Sequence, residues 1–319
     1  MIELKGISKK FGDTQAVKQV SFSVAEKETL VLLGTSGCGK TTTLKMINRL
    51  IEPDGGQILI NNKNITNQDP DVLRKGIGYV MQNIGLFPHY TIAENIALVP
   101  KLLKWDKEKI KSRTQELIQK LHLPENTLAM YPHELSGGQQ QRVGLARALV
   151  TDQSVLLMDE PFGALDNVTR TSIQKEFKAL EELKRKTILM VTHDVQEAFE
   201  LADRICLMDK GEVVQIGTPK ELLYRPINDF ARNFLAGQRL ALEFKVVNIQ
   251  DIWSYLPEQT IHAGESKSAD LSIWEAMELL RNNDRSEFFV SGPDQAIKSI
   301  NFEQLTKGFN QYQNAQLHE

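Results

Sequence analysis

Three five-residue runs are almost continuously apolar: Thr29-Leu30-Val31-Leu32-Leu33, Ser154-Val155-Leu156-Leu157-Met158 and Thr187-Ile188-Leu189-Met190-Val191. A strand with one wet face alternates apolar and polar residues. Unbroken runs of this length therefore predict strands covered on both faces, the habit of a parallel sheet. Helical periodicity falls between and around them, at 40–49, 107–121, 139–150 and 169–184. Strands alternating with helices predict an α/β core. Ile2-Glu3-Leu4 and Val20-Ser21-Phe22-Ser23-Val24 do alternate, and predict an antiparallel annex with one solvated face.

A chain of 319 residues has room for two domains, and its charge changes along the way. Residues 240–319 carry 6 Lys and Arg against 12 Asp and Glu, whereas residues 1–239 carry 32 against 29. This shift marks a domain boundary, but it is not the concentrated basic stripe that nucleic acid requires, so no nucleic-acid partner is expected. The most basic stretch, 101–113, is interrupted by Asp106 and Glu108 and reads as a solvated helix face. No apolar run approaches the roughly 18 residues of a membrane-spanning helix. Met1-Ile2-Glu3-Leu4-Lys5 lacks the basic-then-apolar layout of a signal peptide. Two cysteines, Cys38 and Cys206, make no disulfide framework and suit a reducing compartment.

The first apolar run leads directly into Gly34-Thr35-Ser36-Gly37-Cys38-Gly39-Lys40-Thr41, which fits the phosphate-loop pattern G-x-x-x-x-G-K-[ST]. The setting is the one the chemistry needs, a buried strand before it and a helix beginning at Lys40. Glycines let backbone N–H groups turn inward on an anion, and the helix N-terminus adds its dipole. Lys40 would neutralise β- and γ-phosphate charge, and Thr41, followed by Thr42, would offer a hydroxyl to Mg²⁺. The second run ends in Asp159-Glu160. Asp159 is the expected metal-side acid, and Glu160 the group to polarise an attacking water. Alone, such an acidic pair is an ordinary capping feature; beside a phosphate loop in one parallel sheet it reads as catalytic.

Between them lies Leu135-Ser136-Gly137-Gly138-Gln139-Gln140-Gln141-Arg142, which resembles the LSGGQ signature of the ATP-binding cassette (ABC) family. Other motifs of that family follow in order: a Q-loop at Gln82, a D-loop at Ala164-Leu165-Asp166 and a switch histidine at His193 in Val191-Thr192-His193-Asp194. Phe11 fills the adenine-stacking position, with Val17 beside it. The resemblance covers roughly residues 1–236. It implies a P-loop ABC ATPase fold: a RecA-like parallel sheet core, an antiparallel β annex and a helical subdomain. It further implies MgATP as substrate and metal, with Thr41, Gln82 and Asp159 on the Mg²⁺ side and Glu160, His193 and Gln82 as the hydrolytic group. Residues 34–42 would wrap the phosphates. Ser136, Gly137, Gly138 and Gln139 would complete the site of a second subunit, giving a homodimer or a pair of cassettes with composite sites.

Segments outside the catalytic motifs narrow the branch. Residues 86–97, 131–142 and 159–166 resemble importers, and 46–53 and 99–105 resemble the ATPase subunits of osmoprotectant importers for glycine betaine, carnitine or choline. Such a subunit is expected at the cytoplasmic face of the membrane, docked on separate permease subunits, with an extracytoplasmic solute-binding protein presenting the ligand. An importer ATPase for amino acids, metals or sugars is the nearest alternative, and a soluble non-transport cassette the next. Only 54 positions separate Gln82 from Ser136, which leaves no space for the coiled-coil insertion of chromosome-associated cassettes. The expected division is a cassette over 1–236, a linker over 237–244, a small α+β domain over 245–310 and a tail over 311–319. Within the small domain, residues 271–280, 288–290 and 297–305 resemble a single CBS motif: helix, strand, strand, helix. The ribose-contacting Thr and Asp of such motifs are replaced by Asn301 and Gln304. A dimerisation brace and an ionic-strength sensor both remain open for it.

Overall fold

The computed structural model describes residues 1–257, 266–282, 286–292 and 296–318, and resolves into two compact units, 1–216 and 217–319. In the first unit the chain runs β1 (Ile2–Phe11), β2 (Thr14–Val24), β3 (Thr29–Gly34), α1 (Lys40–Ile47), β4 (Gly55–Ile60), β5 (Lys63–Asn64), α2 (Pro70–Lys75) and β6 (Ile77–Val80). A helical region follows, with α3 (Ile92–Leu102), α4 (Lys107–Lys120) and α5 (Gly137–Leu149). The chain then returns through β7 (Val155–Asp159), α6 (Asn167–Ala179), β8 (Thr187–Val191), α7 (Val195–Leu201), β9 (Arg204–Asp209) and β10 (Glu212–Gly217).

The apolar runs become the middle of a six-stranded sheet of order β10-β9-β3-β8-β7-β6, in which β3 pairs in parallel with both β8 and β9, and β7 with both β8 and β6. Every residue of β7 and β8 is buried, as two covered faces require. The alternating segments lie in a second sheet, β2-β1-β4-β5, antiparallel throughout. Its inward residues Ile2, Ile7, Phe22 and Ile58 join Leu30, Leu32, Leu157 and Leu189 and the α1 residues Leu44 and Met46 in one core. Register places the site. Leu32 and Asp159 both stand opposite Val191, so β3, β7 and β8 end together and release the segments after Gly34, Asp159 and Val191 at one edge. The carboxyl edge of a parallel sheet is where α/β proteins bind ligands.

Two helix expectations need correction. The periodicity over 169–184 overruns α6, which stops at Ala179; Leu180 is extended, and residues 183–185 form a separate 3₁₀ turn. This turn carries Glu182 inward, 5% exposed, to Arg113 Nη1 at 2.9 Å and Lys120 Nζ at 2.8 Å. The basic stretch 101–113 is not one solvated face either. It spans the end of α3 and the start of α4, which Asp106 caps by accepting from Lys109 N at 2.8 Å. Arg113 is drawn to Glu182 and to the Leu149 and Val150 carbonyls.

The second unit begins twenty residues before the expected cassette boundary at 236. It contains α8 (Pro219–Tyr224), α9 (Asp229–Ala236), α10 (Arg239–Val246), β11 (Lys267–Ser268), α11 (Ile273–Asn282), β12 (Glu287–Ser291), β13 (Ile297–Asn301) and α12 (Phe302–His318). The stretch expected as a linker, 237–244, is instead mostly α10. Its Leu242 is fully buried, and the equally buried Glu243 binds Arg239 Nε at 2.8 Å and Gln313 Nε2 at 2.7 Å. Nor is 311–318 a separate tail, since α12 runs through it. β12 pairs antiparallel with β13 and parallel with β11. Val247, Ile252, Ile273, Val290, Ile300 and Phe309 fill a core of their own. Asn301 and Gln304, which stand where ribose contacts were sought, exchange backbone bonds of 3.0 and 2.8 Å at the start of α12, as a reciprocal helix cap does.

Candidate active site

The phosphate loop is shaped by contacts that only glycine permits. A Cβ on Gly34 would lie 2.1 Å from the Met208 carbonyl oxygen, and one on Gly39, at φ 101°, would lie 2.4 Å from that of Ala16. The loop is thus pressed between β9 and the annex, with Thr35, Ser36 and Gly37 exposed at its crest. Lys40 is buried, and its Nζ donates to the Gly34 and Thr35 carbonyls at 2.9 and 2.8 Å. The Thr35 hydroxyl donates to Asp209 Oδ1 at 3.0 Å, a contact the sequence reading missed although Asp209 ends an apolar strand just as Asp159 does. Thr42 is half-buried on α1.

One expectation changes here. Val17 is fully buried, and its Cγ2 lies 3.3 Å from the position of a Cβ on Gly39, so it supports the loop from beneath and presents no surface to a base. Phe11 does present one: its ring is 48% exposed, with Lys9 Nζ 5.6 Å from the centroid. Cys38 is turned into the core, 2% exposed, with Sγ 3.7 Å from Lys40 Nζ. Its thiol is not open to reagents at the loop surface.

Asp159 is 3% exposed and accepts from the Thr41 hydroxyl at 2.8 Å. Burial pushes its pKa up; the Thr41 bond and the ammonium groups of Lys45 and Lys40 oppose that, and Glu160 adds to it. A carboxylate desolvated to this degree favours a nearby cation. Hydroxyl, carboxylate and amide oxygens are the hard donors that suit Mg²⁺, which is bound through one or two carboxylates together with substrate phosphates. Tyr79, also missed, has its hydroxyl pKa pushed up by burial and by Asp159.

Glu160 takes a left-handed backbone, φ 46°, uncommon for a residue with a Cβ. Its N–H donates to the Val191 carbonyl at 2.9 Å, continuing the β7–β8 ladder while the side chain turns into the site. Oε2 of Glu160 accepts from Gln82 Nε2 at 3.0 Å and lies 3.2 Å from His193 Nδ1. The three residues expected to hydrolyse thus meet at one carboxylate oxygen. Gln82 and His193 are both exposed, and Glu160 is half-buried between them.

The signature lies at the start of α5. Ser136 caps it, accepting from Gln139 N at 3.3 Å, while Gln139 Oε1 accepts from Ser136 N at 2.9 Å. Ser136 and Gly137 are exposed and Gly138 is buried. Asp166 likewise caps α6, accepting from the Val168 and Thr169 amides at 3.1 Å each, and these bonds hold its carboxyl below the usual range.

A family model for ABC transporters matches residues 17–163. The glycine betaine/carnitine/choline transport ATP-binding protein OpuCA of Bacillus subtilis is 46% identical over 300 residues, covering 93% of this chain and 77% of its own. The chain belongs to the ABC transporter ATPase family. The glycine betaine uptake system ATP-binding protein YehX of Escherichia coli is 46% identical over 279 residues, 88% of this chain and 90% of its own. Among solved structures, the ATP-binding cassette MJ0796, in a dimeric post-hydrolysis state bound to ADP and phosphate, superposes with a TM-score of 0.62 at 36% identity, covering 68% of this chain and 98% of that one. Membership makes ATP hydrolysis coupled to transport the activity of this ABC ATPase. Among the described residues no helix is long and apolar enough to cross a membrane.

Proposed function

We propose that this ABC ATPase energises an osmoprotectant importer, hydrolysing ATP in composite sites between two copies of the chain to drive uptake of a quaternary ammonium solute such as glycine betaine, carnitine or choline. The observation that carries the hydrolytic assignment is the meeting of Gln82, Glu160 and His193 at one oxygen beside the Thr41–Asp159 pair. The solute class rests on the likeness to OpuCA and YehX over nearly the whole chain.

In this reading Lys40 and the backbone amides of residues 34–42 hold the triphosphate, and Phe11 offers its exposed ring to the base. Thr41, Asp159 and Gln82 would hold Mg²⁺, which neutralises charge on the bound phosphates. Glu160 accepts a proton from the attacking water, and His193 and Gln82 orient that carboxylate through the bonds they make to it. Ser136, Gly137, Gly138 and Gln139 present the N-terminus of α5 to the γ-phosphate held by the second copy, where unpaired N–H groups and the helix dipole favour an anion. The exposed Phe87, with His89 and Tyr90 clustered on it at 6.0 and 5.6 Å between ring centroids, offers a face for a permease at the cytoplasmic side of the membrane.

Glu160→Gln tests the chemistry. Losing a general base costs about 10²–10⁴-fold in rate, so the variant binds ATP and nearly ceases to turn over. An unchanged steady-state rate refutes the role. The solute class is tested by reconstituting the chain with its permease and binding protein; stimulation by an amino acid or sugar but not by glycine betaine, carnitine or choline refutes it.

A further inference from the structure

Three hydrogen bonds that fix the loops around Glu160 and His193 come from a single side chain outside the phosphate loop. Arg170, in the first turn of α6, donates from Nε to the Phe162 carbonyl at 3.3 Å and from Nη2 to the Leu165 carbonyl at 2.9 Å. Its Nη1 donates to Asp194 Oδ2 at 3.2 Å. The first two acceptors belong to the turn between Glu160 and Asp166, and the third residue directly follows His193.

Each end of this bridge is itself fixed. Asp194 caps α7 with its other oxygen, accepting from the Gln196 and Glu197 amides at 2.8 and 3.2 Å, and its own N–H donates to the Thr192 hydroxyl at 3.0 Å. On the other side, Gly163 N donates to the Glu160 carbonyl and Leu165 N to that of Phe162, both at 3.2 Å. The ring of contacts closes where Glu160 Oε2 faces His193 Nδ1. The two reacting-loop residues are therefore linked twice, once directly and once through Arg170. A planar fork with five donors can serve three acceptors in fixed directions; an ammonium on a flexible stem cannot.

We propose that Arg170 is a positioning residue for hydrolysis. By tying the 160–166 turn to Asp194 it sets the placement of the Glu160 carboxylate against the His193 ring, and it makes any displacement of Asp166 a displacement of His193. This rests on the assignment of Glu160 as the base. The expected signature is a loss in kcat without a loss in nucleotide binding, because Lys40 and the phosphate loop are held by separate contacts. A misplacement of about 1 Å costs roughly 10²-fold in rate.

The test uses the full chain, with kcat, the KM for ATP and the melting temperature measured for four variants. Arg170→Met removes all three donors and should lower kcat about 10–100-fold with KM within about twofold. Arg170→Lys keeps the charge, loses the fork and should fall between. Asp194→Asn keeps the helix cap, since Asn caps as well as Asp, and weakens the bridge. Adding it to Arg170→Met should then cost little more than Arg170→Met alone, as for two partners of one interaction. An unchanged kcat in Arg170→Met and Arg170→Lys, additive losses in the double variant, or a kcat that falls only in step with KM and melting temperature overturns the proposal. Glu160→Gln separates the two levels: if it retains turnover, the base assignment itself has failed. If it abolishes turnover while Arg170→Met does not lower kcat, the positioning role alone has failed.

Discussion

Glu197, in the first turn of α7, is 3% exposed and accepts a hydrogen bond from the Thr192 hydroxyl. Burial raises its carboxyl from 4.5 to about 7; Asp194 adds to the shift, while the Thr192 bond and Arg170 oppose it. Below pH 4.5 the carboxyl is protonated in folded and unfolded chains alike, and its burial carries no ionic cost. As pH rises from there towards 7 the unfolded chain ionises first, so stability falls. Above 7 the loss is complete, about 3 kcal/mol at 1.36 kcal/mol per pH unit. Glu197→Gln keeps an acceptor for Thr192 and cannot ionise, so this variant should lack that loss. Urea unfolding at pH 5, 6.5 and 8 checks it, read through exchange protection of the β8 amides so that only the first unit is followed. Taking each variant's change from its own pH 5 value removes any pH-independent cost of the amide. Wild-type and Glu197→Gln curves that stay parallel from pH 5 to 8 refute the reasoning.

Mixed dimers test the composite sites. One chain with Lys40→Ala beside one with Ser136→Arg places both defects in one site and spares the other, whereas a doubly substituted chain beside wild type damages both. Equal ATPase rates in the two mixtures contradict the arrangement. Phe309 is 2% exposed and packs against Phe244 in a tilted pair, 4.8 Å between ring centroids. Phe309→Ala should cost the second unit about 3–5 kcal/mol while β3 and β8 keep their amide protection; joint loss contradicts two separate cores. Cys38 should react with a thiol reagent about 10³-fold more slowly than a free thiol, since attack waits on a local opening of several kcal/mol, and prompt labelling of the folded chain contradicts its burial.

Lys40, Thr41, Asp159 and Glu160 were legible because each ends an apolar strand or follows a glycine pattern, and both signals are local; Gln82 and His193 came only with the resemblance to the ABC family. The strand runs gave the sheet for the same reason: β7 and β8 are buried at every residue. What escaped the reading is held by partners distant in sequence. Nothing near Glu182 announces that Arg113 and Lys120 will draw it out of the helical register, and nothing near Arg170 announces Asp194. The boundary at 216 was hidden because α8 and α10 are amphipathic like any cassette helix, and only their packing assigns them to the second unit. Ser136 and Asp166 show the opposite case. Their caps are visible in sequence, and the same geometry serves a helix or an anion, so the pattern alone did not choose between them.

The strand that carries the phosphate loop has no sequence neighbour in its sheet. Thr29 pairs with Ile188, and Gly34 with Met208. On a ribosome adding about 5–20 residues per second, the loop emerges roughly 8 to 30 seconds before the strands that will flank it. Through that interval β1, β2 and β4 can close on one another, being near in the chain, but β3 has no edge to join. Its four apolar residues, Leu30 to Leu33, have no strand beside them until more than half of the protein has been made. The sheet edge that carries the nucleotide site is thus completed only when β8 and β9 have been made, and the interval before β8 arrives is the one in which this chain most needs protection from its neighbours.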